Sequence, residues 1–387
     1  MARVIDSDQH LFEPRDLWAR YADPAARGDA LVIADDELGH PWLTWRGQRL
    51  GLADVQWPGE TDAIGERRER VRQGLPPLAR YDEILPADYW DPSARVARLD
   101  QLGVDEAALF PNYGLAWERS LDADLASLLL NMGSWNRWAV EVAAQGRGRL
   151  HPVAHLTLRD LDWLEKQLGE LARGGVQLAM IAPALVDGRP LSHPSLERAW
   201  SAFVEFGVTP VFHVADQRRP FDDAWYTDVR EERVVPVVET VFLWTAPALA
   251  ITDLIVNGVL ARHPRLRFGV VELSAVWVPL FLMMLDGGHD FVSRLNGRPH
   301  VPLDEKPSTY FRRQVRVSSF SYELPSRLIG QSGELFMCCS DYPHSEGTAQ
   351  PLADYRTAGR HGMEPEAAGD FFSGNMAFLL GRQGGVS

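Results

Sequence analysis

Short apolar segments recur along the chain, and segments with helical periodicity separate them. The apolar segments have the length and composition of buried strands and cover residues 3–8, 106–111, 150–156, 176–181, 209–214, 266–273, 314–320 and 334–340. Helical patterns, with apolar positions three or four residues apart, cover residues 93–102, 121–144, 160–173, 194–206 and 252–262. Eight strands that alternate with helices predict an α/β fold, a (β/α)8 TIM barrel. A doubly wound sheet is the alternative, but no Gly-rich phosphate-binding motif opens a helix.

Two segments exceed what a minimal barrel needs. We expect one domain over residues 1–387, in which residues 28–90 are inserted after the first strand. Loops that follow barrel strands line the mouth of the barrel, so this insertion is predicted to form a lid; a surface excursion without a role is the alternative. Residues 215–245 form a second excursion, which contains Arg218 and Arg219.

Charge and composition restrict the partners. The net charge of −14 argues against nucleic acid or an anionic membrane as the main partner, although a metal ion or local arginines could still attract an anionic small molecule. Cys338 and Cys339 are adjacent, so no disulfide framework is expected. The richest apolar run, residues 276–285, is too short to cross a bilayer, and no signal-like segment is evident. We expect a cytoplasmic protein.

Polar side chains that could bind a metal follow several predicted strands. Asp8 and His10 lie near the end of the first strand, and residues two apart on a strand point to the same side. His213 ends the fifth strand and Asp341 ends the eighth. Each residue alone could be a core histidine or a helix cap. Because barrel enzymes place their functional groups at the carboxyl ends of strands, the set together predicts a site for zinc, iron or manganese.

Several motifs resemble the amidohydrolase superfamily, specifically the branch that includes the amidohydrolase-2 proteins and the aminocarboxymuconate-semialdehyde and resorcylate decarboxylases. The resemblance covers most of the chain and rests on Asp8, His10, Glu13 and Pro14, on residues 95–105, 212–214 and 258–277, and on the stretch from Ser340 to His344. It implies that Asp8, His10, His213 and Asp341 are metal ligands. It also implies that Asp341 handles a proton.

The sixth strand departs from the family pattern. Many members place a histidine there, whereas residues 268–273 of this chain carry Glu272. Glu272 could act as a catalytic proton shuttle, as a ligand to a second metal, or as a buried partner of an arginine. The missing histidine weakens the similarity to decarboxylases that use it and favours a hydrolase.

Other polar residues are weaker candidates. Glu13 could be a second-metal ligand, could hydrogen-bond a ligand, or could cap a helix. His344 is expected to contact the substrate or to fix Asp341, and we count it as catalytic. His155 is more easily explained as a loop or core histidine than as a site residue. Asn136 is expected to be structural, and His263 to end a helix on the far face.

The resemblance and the residues together predict a metal-dependent hydrolase of a small organic molecule. A metal-bound hydroxide would cleave an amide, ester or thioester, and Asp341 would accept the proton of the water. An apolar acyl group, such as an acyl thioester of a bulky hydrophobic acid (thioesterase activity), is suggested by tryptophans in the excursions and nearby segments. These are Trp42, Trp45, Trp57, Trp225, Trp244 and Trp277.

Two alternatives have different chemistry. One is non-oxidative decarboxylation of an aromatic or unsaturated acid, and the other is a binding protein without turnover. We expect one or two divalent ions per chain, with zinc ahead of iron or manganese, and a homodimer.

Overall fold

A parallel barrel is the centre of the fold. The computed structural model describes residues 3–226, 237–358 and 363–382. Its strands are β1 (Ile5–Leu11), β2 (Val32–Asp35), β3 (Pro41–Trp45), β4 (Gln48–Leu52), β5 (Glu106–Pro111), β6 (Leu150–His155), β7 (Leu178–Met180), β8 (Thr209–His213), β9 (Phe268–Val271), β10 (Val315–Ser319) and β11 (Phe336–Cys338). β1 and β5 to β11 pair in parallel in that order, which confirms the predicted (β/α)8 barrel.

The barrel closes where β1 meets the segment after β11. The backbone N–H of His10 donates to the carbonyl of Tyr342 at 2.8 Å, and the N–H of Asp341 donates to the carbonyl of Asp8 at 2.9 Å. The closing hydrogen bonds therefore involve three of the predicted metal ligands directly.

Helices surround the barrel. They are α1 (Leu17–Tyr21), α2 (Thr61–Arg72), α3 (Tyr81–Ile84), α4 (Ala87–Trp90), α5 (Pro92–Leu102), α6 (Leu125–Gln145), α7 (Leu161–Arg173), α8 (Glu197–Phe206), α9 (Val237–Val241), α10 (Thr245–Val256), α11 (Val259–Arg262), α12 (Val278–Leu295), α13 (Pro307–Gln314), α14 (Pro325–Ser332), α15 (Pro351–Ala358), α16 (Pro365–Gly369) and α17 (Asn375–Leu379). Within the described ranges, none of these helices combines the length and apolar content needed to span a membrane.

Local signals explain where the barrel helices begin and end. Asp91 caps α5 by accepting from the N–H of Ala94, and Gly103 ends that helix in the left-handed region. Asp160 caps α7 in the same way, through the N–H of Trp163. These boundaries lie within one residue of those predicted from the sequence.

Two predicted elements differ from the structure. The first strand continues to Leu11, past the expected end at residue 8, and its pairing with β5 shifts register between Asp6 and Gln9. The predicted helix 252–262 is two helices, because Gly258 adopts a φ of 77° between α10 and α11. Part of the excursion 215–245, residues 227–236, lies outside the described residues.

The insertion 28–90 folds as the antiparallel sheet β2–β3–β4 together with α2, α3 and α4. It contacts the end of the barrel that holds the predicted ligands. The N–H of Gly59 donates to the carbonyl of Ser345 at 2.8 Å, and the hydroxyl of Tyr113 donates to the carbonyl of Asp54 at 3.1 Å. A lid function for this insertion stays a prediction.

The opposite end of the barrel is covered by α17. Met376 and Leu379 pack with the interior side chains of the barrel strands, and the hydroxyl of Thr209, at the start of β8, donates to the carbonyl of Leu379 at 2.7 Å. A ligand of the barrel interior therefore approaches from the carboxyl ends of the strands.

Candidate metal centre

All four predicted metal ligands meet at the carboxyl end of the barrel. Asp8 and His10 project from β1, His213 is the last residue of β8, and Asp341 lies just beyond β11. Glu272, which directly follows β9, joins them. The sequence prediction brought together residues that are more than 300 positions apart, because parallel strands end at one edge of the barrel.

The ligand atoms are close to one another. Nε2 of His10 lies 3.2 Å from Oδ1 of Asp341 and 3.4 Å from Oδ1 of Asp8. Nε2 of His213 lies 3.2 Å from Oε2 of Glu272 and 3.5 Å from Oδ1 of Asp8. Asp8, His10, His213 and Glu272 form a group whose ligand atoms all lie within 4.8 Å of each other. A second group of the same tightness joins His10, Glu272 and Asp341 with His344.

Backbone carbonyls orient both imidazoles toward the centre of the cluster. Nδ1 of His10 contacts the carbonyl of Pro111 at 3.0 Å, and Nδ1 of His213 contacts that of Val214 at 2.8 Å. A carbonyl can only accept, so Nδ1 carries a proton in each ring, and Nε2 is the atom that faces the carboxylates. Metal-binding histidines are fixed in this way.

The cluster contains buried polar atoms that have no hydrogen-bond partner. They are both carboxylate oxygens of Asp8, Oδ2 of Asp341, Nε2 of His10, Nε2 of His213 and Oε2 of Glu272. Asp8, His10, His213 and Asp341 are fully buried. Unpartnered buried polar groups cost about 1–3 kcal/mol each, and more when charged. Carboxylate oxygens and imidazole nitrogens in this arrangement fit a divalent cation.

The backbone is strained at two of these positions. Glu272 and Asp341 both have φ values of 54°, in the left-handed region that side chains other than glycine rarely adopt. Such strain costs on the order of 1–3 kcal/mol and concentrates at functional sites. A hydrogen bond of 3.0 Å from the N–H of Glu272 to the hydroxyl of Ser318 holds one of these turns.

The carboxylates and imidazoles shift each other's protonation. Burial lowers the pKa of His10, but the attraction of Asp341 and Asp8 outweighs it and raises that pKa to about 10. Burial raises the pKa of Asp8, but His10 and His213 hold it below its ordinary value. Burial and the charges of Asp341 and Asp8 raise the pKa of Glu272 well above its ordinary value. A bound cation would relieve the repulsion between Glu272 and the carboxylates of Asp341 and Asp8.

His344 connects Asp341 to a residue that the sequence analysis did not single out. Nδ1 of His344 lies 2.8 Å from Oδ1 of Asp341, and its Nε2 lies 2.8 Å from Oδ1 of Asn112. Its ring stacks on that of His10 with centroids 3.7 Å apart. Asn112 follows β5 directly, so its position at the end of a strand was the available signal.

The weaker candidates occupy other places. Both carboxylate oxygens of Glu13 accept backbone N–H groups, from Tyr113 at 2.9 Å and Gly114 at 2.7 Å, and Glu13 is in neither ligand group. Burial raises the pKa of Glu13 to about 7. These contacts agree with a structural role for Glu13, and the second-metal role considered from the sequence stays a prediction. Nε2 of His155 contacts Oε2 of Glu118 at 3.0 Å.

Two further residues lie where the sequence placed them. Asn136 ties α6 to β6 through the backbone of His155. His263 follows the end of α11 and contacts Glu197 at 2.8 Å. Both positions agree with the structural roles expected for them.

A pocket adjoins the cluster on the side of His213. Its cavity volume is about 50 Å³, so it is a narrow cleft. Leu273, the neighbour of Glu272, also lines it. None of the six tryptophans considered from the sequence is among the residues that line it, so they give no support for a bulky acyl substrate.

Comparisons with known proteins agree on the fold. No protein-family model matches the chain, and no curated protein sequence matches it. Among solved structures, amidohydrolase map2389c from Mycobacterium avium subsp. paratuberculosis matches with a TM-score of 0.78 at 21% identity, over 98% of this chain and 99% of the other.

Two other similar structures are decarboxylases with bound manganese. One is 5-carboxyvanillate decarboxylase from Novosphingobium aromaticivorans, complexed with a nitrobenzoic acid (TM-score 0.66, 18% identity, 98% of this chain and 96% of the other). The other is dihydroxybenzoic acid decarboxylase from Polaromonas with the inhibitor 2-nitroresorcinol (0.61, 14%, 98% and 97%). At such identities these neighbours establish the fold of this chain.

The comparisons correct the predicted reaction and metal. Several of the similar structures are decarboxylases of aromatic acids, so hydrolysis, including thioester cleavage, is not the function that they support. The sequence argument failed because it took the missing histidine of the sixth strand as evidence against decarboxylation. The manganese in these neighbours likewise gives no support for zinc or iron as the expected metal.

Proposed function

We propose that this protein is an enzyme of the amidohydrolase superfamily that removes CO2 from an aromatic or unsaturated carboxylic acid without a redox step. Asp8, His10, His213 and Asp341 would hold a divalent metal ion, for which manganese is the first candidate. The observation that carries this proposal is the set of buried polar atoms without hydrogen-bond partners at the mouth of the barrel. Asp8, His10 and His213 form one tight group there, with Glu272, and Asp341 shares a second group with His10. The decarboxylases of the same fold supply the class of reaction.

A bound divalent ion would supply positive charge for the substrate carboxylate and an adjacent oxygen. The chain itself supplies the means to move a proton. The side-chain oxygen Oδ1 of Asn112 accepts from Nε2 of His344, and the other ring nitrogen, Nδ1, lies 2.8 Å from Oδ1 of Asp341. One proton shared between these atoms can be delivered to the carbon that loses CO2.

Glu272 adds a third carboxyl group to this site. Its Oε2 faces His213 at 3.2 Å and His10 at 3.8 Å, and within the described ranges no arginine forms an ion pair with it. This arrangement leaves no support for the arginine-partner role considered from the sequence. Glu272 remains either a ligand to a second metal or a group that exchanges protons with the substrate.

The direct test is CO2 release from a panel of hydroxybenzoates and unsaturated acids by protein stripped with a chelator and reloaded with manganese. We expect CO2 and the decarboxylated product in equal amounts, and one deuterium in the product when the reaction is run in D2O. The proton on the carbon comes from a group that exchanges with solvent, which explains the deuterium.

Two variants accompany this assay. Asp341→Asn should lower turnover by about 10³-fold or more, because both a ligand charge and the proton donor are lost. Glu37→Gln, at an exposed position outside the site, should match the parent protein. Undiminished CO2 release after chelation, or its absence from every acid with manganese bound, contradicts the proposal.

A further inference from the structure

The pocket beside His213 contains two polar groups that nothing in the described structure satisfies. The amide Nε2 of Gln217 and the guanidinium Nε of Arg219 are buried and have no hydrogen-bond partner. Gln217 is only 8% exposed, and the side chain of Arg219 is 13% exposed. Both line the pocket. Two donors that lose their water without replacement are expensive unless a ligand supplies acceptors.

The rest of the pocket wall is largely apolar. Its apolar residues include Pro183, Val214, Phe242, Leu243, Ala246 and Leu273. His213 belongs both to this wall and to the metal cluster. An occupant with its carboxylate at the metal would therefore extend along apolar side chains toward Gln217 and Arg219.

The arginines of the pocket carry no surplus charge. Arg219 pairs with Glu239 at 2.8 Å, and its guanidinium lies 4.0 Å from the centre of the Tyr226 ring. Arg218 pairs with Asp122 at 2.6 Å. The pocket thus offers N–H donors whose positive charge is already balanced by carboxylates. Such donors fit an uncharged oxygen better than a second carboxylate, which would add an uncompensated buried charge.

From this arrangement we infer that Gln217 and Arg219 form a specificity subsite for an uncharged acceptor oxygen, such as a hydroxyl, ether or carbonyl group, on the part of the substrate remote from its carboxylate. This inference rests on the proposed function for the placement of the carboxylate at the metal. It narrows the substrate class to monocarboxylic aromatic or unsaturated acids with a second, neutral oxygen. Without that oxygen, two buried donors stay unpaired in the complex.

The test measures binding to the manganese-loaded full chain by calorimetry. The probes are benzoate, the three monohydroxybenzoates and the three benzenedicarboxylates. We expect at least one hydroxybenzoate to bind about tenfold or more tightly than benzoate, which is the selectivity that one satisfied donor provides. No dicarboxylate should exceed that hydroxybenzoate.

Variants assign the selectivity to the subsite. Gln217→Leu and Gln217→Glu both remove the amide donor at nearly constant size, and both should reduce the ratio of benzoate to hydroxybenzoate dissociation constants to about one. Gln73→Leu, at the end of α2 and outside the pocket, should keep the ratio. Two replacements of opposite polarity guard against a defect that comes from folding alone.

Two results would overturn the proposed subsite. One is an unchanged ratio of benzoate to hydroxybenzoate dissociation constants in both Gln217 variants. The other is that a dicarboxylate binds the parent protein most tightly. The proposed reaction is tested separately, because these measurements do not depend on CO2 release. If the protein releases no CO2 but its selectivity depends on Gln217, the subsite is supported and the decarboxylase function is rejected. CO2 release, together with an unchanged ratio of dissociation constants in the Gln217 variants, would support the decarboxylase and reject the subsite.

Discussion

At the scale of single residues, the position of Asp341 depends on a tightly packed turn. Asp341 has a left-handed backbone, and the turn returns through the N–H of His344, which donates to the carbonyl of Asp341 at 2.8 Å. A Cβ atom on Gly347 would lie 2.3 Å from that same carbonyl oxygen. The glycine is therefore needed for the turn that places the candidate proton donor.

Gly347→Ala should lower kcat by at least about tenfold, because the added methyl group must displace the backbone of Asp341 and a shift of about 1 Å at a reacting group can cost 10²-fold. Steady-state kinetics with the best acid of the panel measures this loss. Gly288→Ala is the matched control, since a Cβ there meets nothing within 4 Å and the residue is in the exposed part of α12. Equal kcat values for the two variants would contradict this account of the turn.

The sequence predicted the residues of the cluster better than their partners. Asp8, His10, His213 and Asp341 could be found because each belongs to or closely follows a strand-like segment. Asn112 was missed, since its role depends on a contact with His344, 232 positions away. The pairing of His10 with the carbonyl of Pro111 was equally invisible, because a backbone acceptor leaves no mark in the sequence.

At the scale of elements, all eight barrel strands overlap their predicted segments. Buried parallel strands are continuous apolar runs, so each one can be recognised in the sequence without knowing which strands it pairs with. The boundary errors have local causes. β1 extends through Asp8, Gln9 and His10 as a bulged, fully buried strand, although such polar residues usually end a strand. Periodicity alone did not show the break at Gly258, because the apolar pattern continues on both sides.

A buried amide joins three of these elements. Oδ1 of Asn136 accepts from the N–H of His155 at 2.8 Å, and its Nδ2 donates to the carbonyl of His155 at 3.0 Å and to Oε1 of Gln167 at 2.9 Å. These bonds link α6 to β6 and α7 and complete the backbone pairing at the end of β6. The structural role of Asn136 is therefore to supply hydrogen-bond partners to the backbone of His155 and to the side chain of Gln167.

Asn136→Ala should lower the free energy of unfolding by about 1–3 kcal/mol, because it leaves the buried N–H and carbonyl of His155 without partners. Urea unfolding followed by circular dichroism measures the loss. Ser201→Ala, at an exposed position on α8, should stay within about 0.5 kcal/mol of the parent protein. A loss no larger than that of the control would show that water replaces the amide.

At the scale of the whole molecule, a buried carboxylate connects the described ends of the chain. Glu106, at the start of β5, pairs with His151 at 2.6 Å and with Arg382 at 2.7 Å, and it also pairs with Arg3. Burial raises the pKa of Glu106, but His151 and Arg382 outweigh it and lower that pKa to about 2. This group is at the opposite end of the barrel from the metal cluster.

A carboxyl group with a depressed pKa stabilises the fold above its unfolded pKa, near 4.5, and this stabilisation is lost as the pH falls toward about 2. Glu106→Gln should therefore be less stable than the parent protein at pH 7 by about 2–3 kcal/mol. The difference should shrink steadily between pH 5 and pH 2. Thermal unfolding across that range measures it, with Glu37→Gln as the exposed control. A difference that is constant with pH would refute the ion-pair account.

The sequence did not determine the class of reaction that the whole molecule supports. The same carboxylates and imidazoles can support hydrolysis or decarboxylation, and the choice depends on a pocket whose lining comes from residues between 183 and 273. The missing histidine of the sixth strand was therefore weak evidence. The homodimer and the cytoplasmic location remain predictions.

The most direct measurement of the central claim is the rate of CO2 release as manganese is titrated into the chelator-treated protein. The account predicts no release without metal and a rate that rises in proportion to manganese until the cluster is filled, at one or two ions per chain. His213→Ala should weaken manganese binding and shift the titration to higher concentrations. A full rate without metal, or a titration that His213→Ala leaves unchanged, would contradict the account.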